Sequence, residues 1–598
     1  MRALLSNYRR YLTNYESLLA YSLLGLVGGL ASGLIVLIFE LAIAELAVLW
    51  GVGGGGEDFE SLPEWAWFAL PAGGALLLGA LYSLLQPEHR ETGIVHVISS
   101  MHSRYGALPL RNAILQFLGG TFALASGQSG GREGPGVHLG GAVNSLLGQR
   151  LGLPNTSLRM LVACGTAGGI AAAFHTPLAG IIFAMEVIAA QYSVVGFIPV
   201  MLAAVSASAV SFILSGSEPL FNLPPVRLAS LAEIPFILLL GFICGLAVAG
   251  FIRLLKVAGG LAHWPVAVRF GFAGAVTGAL ALGVPQILGI GYDSLQLVLQ
   301  GEIALSLLLM IALCKLIATA TSCGMGLPVG LIGPNLLIGA CMGGALGIIG
   351  RAVGLELPSD PILYVIIGMG AAMGAALNAP LAAILAVIEL THTVSIGMPA
   401  MLAIVAACLT NTVMFRQQSA HQTVLRQLMR VVPEDPLNQL LHRTDVSSAM
   451  DSRVMRVPTH LEQEDLEPLL EFTPTWCLLE REGEDLYLVQ GEDLLDWLKA
   501  KDSEAEPEPE PAQATDHEQE QVSDAESEEF VDLTQADIRR WSMAPVPLQA
   551  TLRQAMDTMY AQTVEAACVY ERSRSTGKRI LHGVLTRESV EKFTLSRL

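Results

Sequence analysis

Ser126–Gly141 reads SGQSGGREGPGVHLGG and sits inside a long apolar region. Seven of the fifteen residues from Gly127 on are glycine, and only Arg132 and Glu133 carry formal charge. Gly134 and Pro135 open an apolar run, Val137–Leu151, whose spacing predicts a helix. Proline is tolerated in a first helical turn, where the N–H groups have no intrahelical partner. Glycines let the backbone approach a ligand closely, and a helix N-terminus presents free N–H donors with a partial positive charge. Irregular backbone at membrane depth survives only where it lines a buried or watery cavity. An ionisable residue there marks a functional site by default. The stretch therefore predicts an anion site at a broken helix, with Glu133 poised beside it.

The surroundings are those of a membrane protein. Of 598 residues 52% are hydrophobic and only 15% charged, with a mean hydropathy of +0.53, whereas soluble domains carry about 25% charged residues. Charge is sparse from about Leu18 to Met414 and ordinary or strongly acidic beyond, which predicts a polytopic membrane part followed by a soluble tail. Leu18–Trp50 is too long for a signal h-region and lacks a small-residue cleavage site, so it reads as a first span. Arg2, Arg9 and Arg10 precede it, in a segment (1–17) expected to lie as a basic amphipathic strip on the membrane surface. The loop that follows, Gly51–Glu64, carries Glu57, Asp58, Glu60 and Glu64; at the far end Arg416, Arg426, Arg430 and Arg443 follow the last apolar run. Both ends thus place the termini in the cytoplasm. The net charge of −19 is concentrated: Asp502–Asp532 holds 13 Asp or Glu and no Lys or Arg, as a solvated linker (501–540) would. Eight scattered cysteines with no CxxC pair read as small apolar core residues and predict no metal site.

Many of the apolar segments are shorter than the roughly 20 residues a perpendicular crossing needs, and Gly and Pro interrupt them repeatedly, the mark of inverted-repeat transporters and channels. The repeat is readable. Gly165–Glu186, GTAGGIAAAFHTPLAGIIFAME, matches Gly368–Glu389, GMGAAMGAALNAPLAAILAVIE, pairing Pro177 with Pro380 and Glu186 with Glu389 at an offset of 203. Upstream, GREGP (131–135) pairs with GLIGP (330–334) at an offset of 199. Two matches at nearly one spacing predict two halves, about 66–215 and 266–415.

GREGP before a Gly-rich helix, then AAAFHTPLAGIIFAMEV, then GLIGP some two hundred residues on, resembles the CLC family of chloride channels and proton/chloride exchangers, in a bacterial form with a C-terminal pair of CBS modules. The resemblance implies an all-α polytopic inverted-repeat domain (18–430) followed by a small α/β cytoplasmic pair. It implies a homodimer with one anion pathway per subunit, in the cell membrane (the inner one of a Gram-negative cell). The partners would be chloride ions and the lipid bilayer, with no nucleic acid and no enzymatic activity. By position, Glu133 matches the gating glutamate, whose carboxylate fills the outer anion site when closed, with Arg132 and Gly134 beside it. Leu331 and Ile332 would offer backbone N–H groups to the anion, Ile332 standing where the family usually has Phe. ETGIV (Glu91–Val95) replaces the family's GSGIP, so Thr92, Gly93 and Ile94 fall at the central anion site and Thr92 takes the role of a serine hydroxyl. His421, in SAHQTVL, takes the place of a late tyrosine; it lines an inner gate that pH would tune, or is an ordinary polar residue at the end of the last span.

One departure bears on mechanism. Family exchangers carry two consecutive acids after the PLAG helix, the second relaying protons, whereas here the pair is Glu186–Val187. Valine cannot relay a proton, so the resemblance leans toward a channel, with proton-coupled exchange as the alternative. Glu186 reads as a cap or pair near a helix end, like its repeat mate Glu389. Lys315 either adds positive potential along the anion path or snorkels to an interface.

In the tail, WCLLEREGEDLYLVQGEDLLDWL and AACVYERSRSTGKRILHGVLTRESVEKF share one plan, a hairpin followed by a helix, and look like CBS modules at 446–500 and 541–598. Their adenine-nucleotide pattern is degraded. Gln490 replaces a threonine while Asp493 stands at the ribose position; Gly583 and Thr586 are kept while Ser589 replaces an aspartate. A structural tail without a cofactor is the reading. CBS modules also accompany metal-ion carriers, but such a carrier needs several acidic ligands at mid-membrane and the chain offers essentially Glu133. No phosphate loop or nucleophile–base pair suggests an enzyme.

Overall fold

The computed structural model describes residues 18–189, 194–216, 221, 226–428, 440–441, 444–461, 469, 472–481, 484–505, 531–533, 536–572 and 579–595. The basic N-terminal strip, Arg430, Arg443 and most of the acidic linker lie outside them. The chain divides into two units, one running to residue 153 and from 157 to 432, the other comprising 154–156 and 433–598.

Among the described residues the first unit is built of helices joined by short non-helical segments. Its first half contains α1 (Leu18–Leu49), α2 (Glu64–Ser83), α3 (Gly93–Ser103), α4 (Leu110–Ala125), α5 (Glu133–Leu151), α6 (Asn155–Phe174), α7 (Pro177–Phe183) and α8 (Val194–Ser215). Its second half contains α9 (Ile234–Gly260), α10 (Val266–Ala281), α11 (Tyr292–Gln300), α12 (Leu305–Met325), α13 (Ile332–Ala352), α14 (Pro361–Leu377), α15 (Pro380–Thr391), α16 (Gly397–Leu409) and α17 (Ala420–Gln427). Eight helices among the described residues are long and apolar enough to cross a membrane. Two short elements, α3 of 11 residues and α11 of 9, are too short to be read as spans.

Small residues let these helices touch. In lipid there is no hydrophobic force between apolar helices, so close van der Waals approach must hold them. At the crossing of α5 and α6, a Cβ on Gly140 would meet the Gly165 carbonyl oxygen at 2.3 Å. At the crossing of α13 and α14, a Cβ on Gly339 would meet the Gly368 carbonyl oxygen at 2.1 Å. These two crossings are repeat mates, and any side chain would force them apart.

The halves also cap one another. The Glu186 carboxylate accepts from the Ala382 N–H (2.9 Å) and the Leu381 N–H (3.4 Å) at the start of α15. Reciprocally, the Glu389 carboxylate accepts from Leu178 (3.0 Å) and Ala179 (2.8 Å) at the start of α7. First-turn N–H groups have no intrahelical acceptor and carry the positive end of the helix dipole, so each acid satisfies the helix of the other half. A π-helical turn, Ala184–Ile188, follows α7 and contains Glu186 and Val187.

The second unit repeats a small α/β plan. Strands β1 (Val454–Pro458), β3 (Trp476–Arg481) and β4 (Glu484–Gln490) form one sheet, and β6 (Met543–Pro547), β7 (Ala566–Arg572) and β8 (Arg579–Thr586) another; β2 (His460–Leu461) pairs with β5 (Val531–Asp532). In each three-stranded sheet the first strand is parallel to the middle one and the last antiparallel to it. The register shifts at the same place in both, Leu479/Glu480 and Val569/Tyr570. Each hairpin leads into a helix, α18 (Gly491–Ala505) and α20 (Arg587–Leu595), while α19 (Leu552–Ala561) precedes β7. Two bridges link the sheets with matching geometry: Leu488 to Trp541 and Val584 to Asp451. Cys477 lies within this core, where burial pushes its thiol up to about 12.

Candidate functional site

The two glycine-rich breaks meet. Gly131 N–H donates to the Gly330 carbonyl and Gly330 N–H to the Gly131 carbonyl, both at 2.7 Å, so GREGP and GLIGP run side by side as an isolated antiparallel pair. A Cβ on Gly134 would lie 2.7 Å from the Gly330 Cα, so this approach needs glycine. Beyond the pair, α5 starts at Glu133 and α13 at Ile332, bringing two helix N-termini to one buried place.

Glu133 fills it. The residue is 0% exposed. Its Oε2 accepts from the Gly333 N–H at 3.3 Å, and its Oε1 accepts from the Tyr292 hydroxyl. The carboxylate therefore sits on the free N–H end of α13, the kind of position that also favours a small anion. A Cβ on Gly333 would come within 3.1 Å of Oε1, so that glycine leaves room for the carboxylate.

Arg132 turns away from its neighbour. Its Nε faces Glu40 Oε1 of α1 at 3.2 Å, and its guanidinium lies 5.1 Å from the Tyr292 ring centroid. A third contact runs to the Ala173 carbonyl at 3.4 Å. The charge of Arg132 is thus paired with Glu40, which frees Glu133 from a local ion pair. Glu40, Glu57, Arg132 and Ile290 border a small pocket beside these groups.

The remaining sequence-derived positions are spread over five elements. Leu331 and Ile332 are buried at the start of α13, but the N–H that reaches the carboxylate is that of Gly333, one residue further in. Thr92 is the N-cap of α3 and makes no side-chain cap bond; Gly93 has φ +73°, and Ile94 is buried. The Gly93 N–H donates to Gln116 Oε1 of α4 at 2.6 Å, and Gln116 Nε2 donates to the Pro328 carbonyl at 3.0 Å. Gln116 thereby ties the start of α3 to the loop before α13. His421, buried in the first turn of α17, sits on a helix that packs against α3, and its Nδ1 has no hydrogen-bond partner among the described residues. Val187 packs against the apolar core from its π-helical turn. Lys315 is fully buried on α12 and does not snorkel: its ammonium donates to the carbonyls of Ile287 (3.0 Å) and Gly289 (2.9 Å).

In the tail, Thr586 and Ser589 close on each other. Ser589 Oγ accepts from the Thr586 N–H at 3.0 Å and Thr586 Oγ1 from the Ser589 N–H at 3.1 Å. Asp493 stands in the first turn of α18. No group of three or more potential metal ligands occurs among the described residues.

Tyr292, Gly333, Gln116 and Glu40 join the site without having been singled out in the sequence. Gly333 lies inside GLIGP and was within reach; the other three come from elements that carry no motif.

Comparison with known proteins agrees with this geometry. The profile of the family described as voltage gated chloride channel matches residues 74–412. A ClcB-like chloride channel protein of Ralstonia nicotianae is 30% identical over 417 residues, covering 68% of this chain and 96% of its own length. The H(+)/Cl(-) exchange transporter ClcA of Vibrio cholerae serotype O1 is 30% identical over 431 residues, covering 70% of this chain and 90% of its own. The crystal structure of a eukaryotic CLC transporter superposes with a TM-score of 0.55 at 20% identity, covering 97% of this chain and 98% of its own, a likeness of fold. Members of the matched family are chloride transporters or channels and not enzymes. Paired broken helices, multi-pass architecture and sequence similarity converge: the chain belongs to the CLC family of voltage-gated chloride channels and transporters.

Proposed function

We propose that the protein moves chloride across the membrane along a pathway that the Glu133 carboxylate closes. The observation that supports this most is the seat of that carboxylate on the Gly333 N–H at the start of α13. A carboxylate and a halide compete for the same unpaired N–H groups and the same helix-end field. Protonation removes the charge that holds the side chain there, and rising chloride displaces it; either event opens the path. Chloride would then pass toward a region bounded by Thr92, Gly93 and Ile94 on α3 and His421 on α17, with Arg132 and Gly134 shaping the outer end.

Flow is channel-like in this reading, because Val187 has no group to carry a proton and Glu186 beside it is occupied at the start of α15. A second reading, chloride exchange against protons, is favoured by the name of the Vibrio cholerae relative. Each subunit of a homodimer would hold one pathway, with both termini cytoplasmic, in the inner membrane if the cell is Gram-negative. The repeated sheets of the tail support a CBS pair, and the closed Thr586–Ser589 box favours a scaffold that needs no adenine nucleotide.

The full chain in proteoliposomes, with chloride and proton movement recorded together, tests this. The expected result is chloride flux that drives no uphill proton movement. Uphill proton transport driven by a chloride gradient would replace the channel form with exchange, and absence of chloride flux would overturn the reading altogether.

A further inference from the structure

Tyr292 is the first residue of α11 and follows Gly291, whose φ is +86°. Its hydroxyl donates to Glu133, so the buried carboxylate has two donors, this phenol and the Gly333 N–H. The ring has little freedom. Phe174 and Phe221 stand with centroids 6.4 and 6.2 Å away, and the Arg132 guanidinium lies over it at 5.1 Å. The segment that delivers it is held from two sides. Lys315 donates to the Ile287 and Gly289 carbonyls, while Gly289 exchanges backbone bonds with the glycine-rich break: its N–H reaches the Gly127 carbonyl at 3.2 Å and its carbonyl accepts from Gly130 at 3.4 Å. A Cβ on Gly291 would meet the Lys315 ammonium at 3.2 Å.

We propose that Tyr292 is the latch of the gate: its hydroxyl holds the ionised Glu133 carboxylate in the blocking position, and Lys315 positions that hydroxyl through the Ile287–Gly291 segment. The proposal rests on Glu133 being the gate. A hydrogen bond from a phenol to an ionised carboxylate is charge-assisted and stronger than one between neutral groups. It favours the charged acceptor over the protonated one. An entering anion must break it, and so must a proton arriving on Oε1. The other charges facing Tyr292 and Glu133 are Arg132 and Glu57, with Glu40 paired to Arg132; Asp293 follows Tyr292 on α11 near Glu60, and Lys315 approaches from α12. None of these charged side chains donates a hydrogen bond to the carboxylate. The phenol does, which makes Tyr292 the side chain that sets how tightly the gate is shut.

Tyr292→Phe keeps the ring, its aromatic neighbours and the Arg132 contact, and removes only the latch. Chloride efflux from proteoliposomes of the full chain, measured across acidic to neutral pH, reads the effect. The expected result is a several-fold higher flux at neutral pH and a half-activation point displaced about one pH unit toward neutral. Lys315→Met should move the profile in the same direction by less, as a positioning residue does. Glu133→Gln and the double variant Y292F/E133Q complete the set, and Y292F should add nothing once Glu133 has lost its charge. If E133Q flux responds to pH as the unmodified chain does, Glu133 is not the gate. If E133Q abolishes the pH response while Y292F leaves the profile in place, or if Y292F acts equally in the E133Q background, the latch is refuted and the gate stands.

Discussion

Among the described residues of this membrane domain three glutamates accept bonds from helix N-termini in the opposite half, and they differ in one respect. Glu186 and Glu389 are repeat mates, each holding two first-turn N–H groups of the other's partner helix. Glu133 holds a single N–H, that of Gly333, and its place in the second half is taken by Ile332. The symmetric pair stitches the halves together, and nothing in their arrangement can be exchanged for an ion without loosening both. The unmatched acid sits where symmetry leaves a helix end without a fixed acceptor. In the function proposed above, this one break in the symmetry of the inverted repeat is where the movable part sits.

A fourth acid sharpens the contrast. Glu233 also accepts from a tyrosine, Tyr364, but its carboxylate takes two more donors, the Ser359 hydroxyl at 2.7 Å and the Ser230 N–H at 3.2 Å. That carboxylate is anchored through three donors, one of them in its own capping box. Glu133 has two donors from two separate elements among the described residues, as the releasable gate proposed above would require.

The largest effect expected from breaking this comparison is at Glu133. Glu133→Gln should leave chloride flux high and nearly independent of pH; flux assays on proteoliposomes check it. Next is Gly333→Ala, whose methyl would lie 3.1 and 3.4 Å from the two carboxylate oxygens. It should crowd the closed position and raise flux at neutral pH by about two- to five-fold, since a tightly packed site tolerates an added carbon poorly. Glu186→Ala and Glu389→Ala should each cost about 1 kcal/mol of stability, by analogy with lost helix caps, read as lower melting temperatures of the detergent-solubilised protein. Both should keep the pH profile of chloride flux. A changed profile in E186A alone would break the symmetry argument and give Glu186 a part in proton handling. The smallest effect is in the tail. Ser589→Ala should weaken the start of α20 by about 0.5–1 kcal/mol, and adding adenine nucleotide should not alter the melting curve of the unmodified chain.

The architecture was legible where residues repeat. Offsets of 203 and 199 between the halves become, in the fold, the reciprocal caps of Glu186 and Glu389 and the backbone pair of Gly131 with Gly330. The cap reading of Glu186 followed from its mate and is what the structure has. Partners that come from distant helices were not legible. Arg132, expected beside the anion site next to Glu133, pairs its charge with Glu40, ninety-two residues earlier on α1. Lys315 offered two readings, along the anion path or at an interface; burial removes the interface one, and its ammonium ties down two carbonyls inside the protein. Tyr292 opens a nine-residue helix, too short for periodicity to signal and free of any motif. The N–H that meets the Glu133 carboxylate at α13 is that of Gly333, next to the Leu331 and Ile332 expected to face the anion, because which first-turn N–H reaches a side chain depends on where that side chain comes from.

In the proposed function the Glu133 carboxylate and chloride occupy the same donors. Chloride titration of the purified full-length protein at neutral pH, by calorimetry, measures that competition directly in the unmodified chain and in Glu133→Gln. The account predicts that removing the charge tightens chloride binding about tenfold or more, since the anion no longer displaces a carboxylate held by a charge-assisted bond. Equal chloride affinity in the two proteins would contradict it.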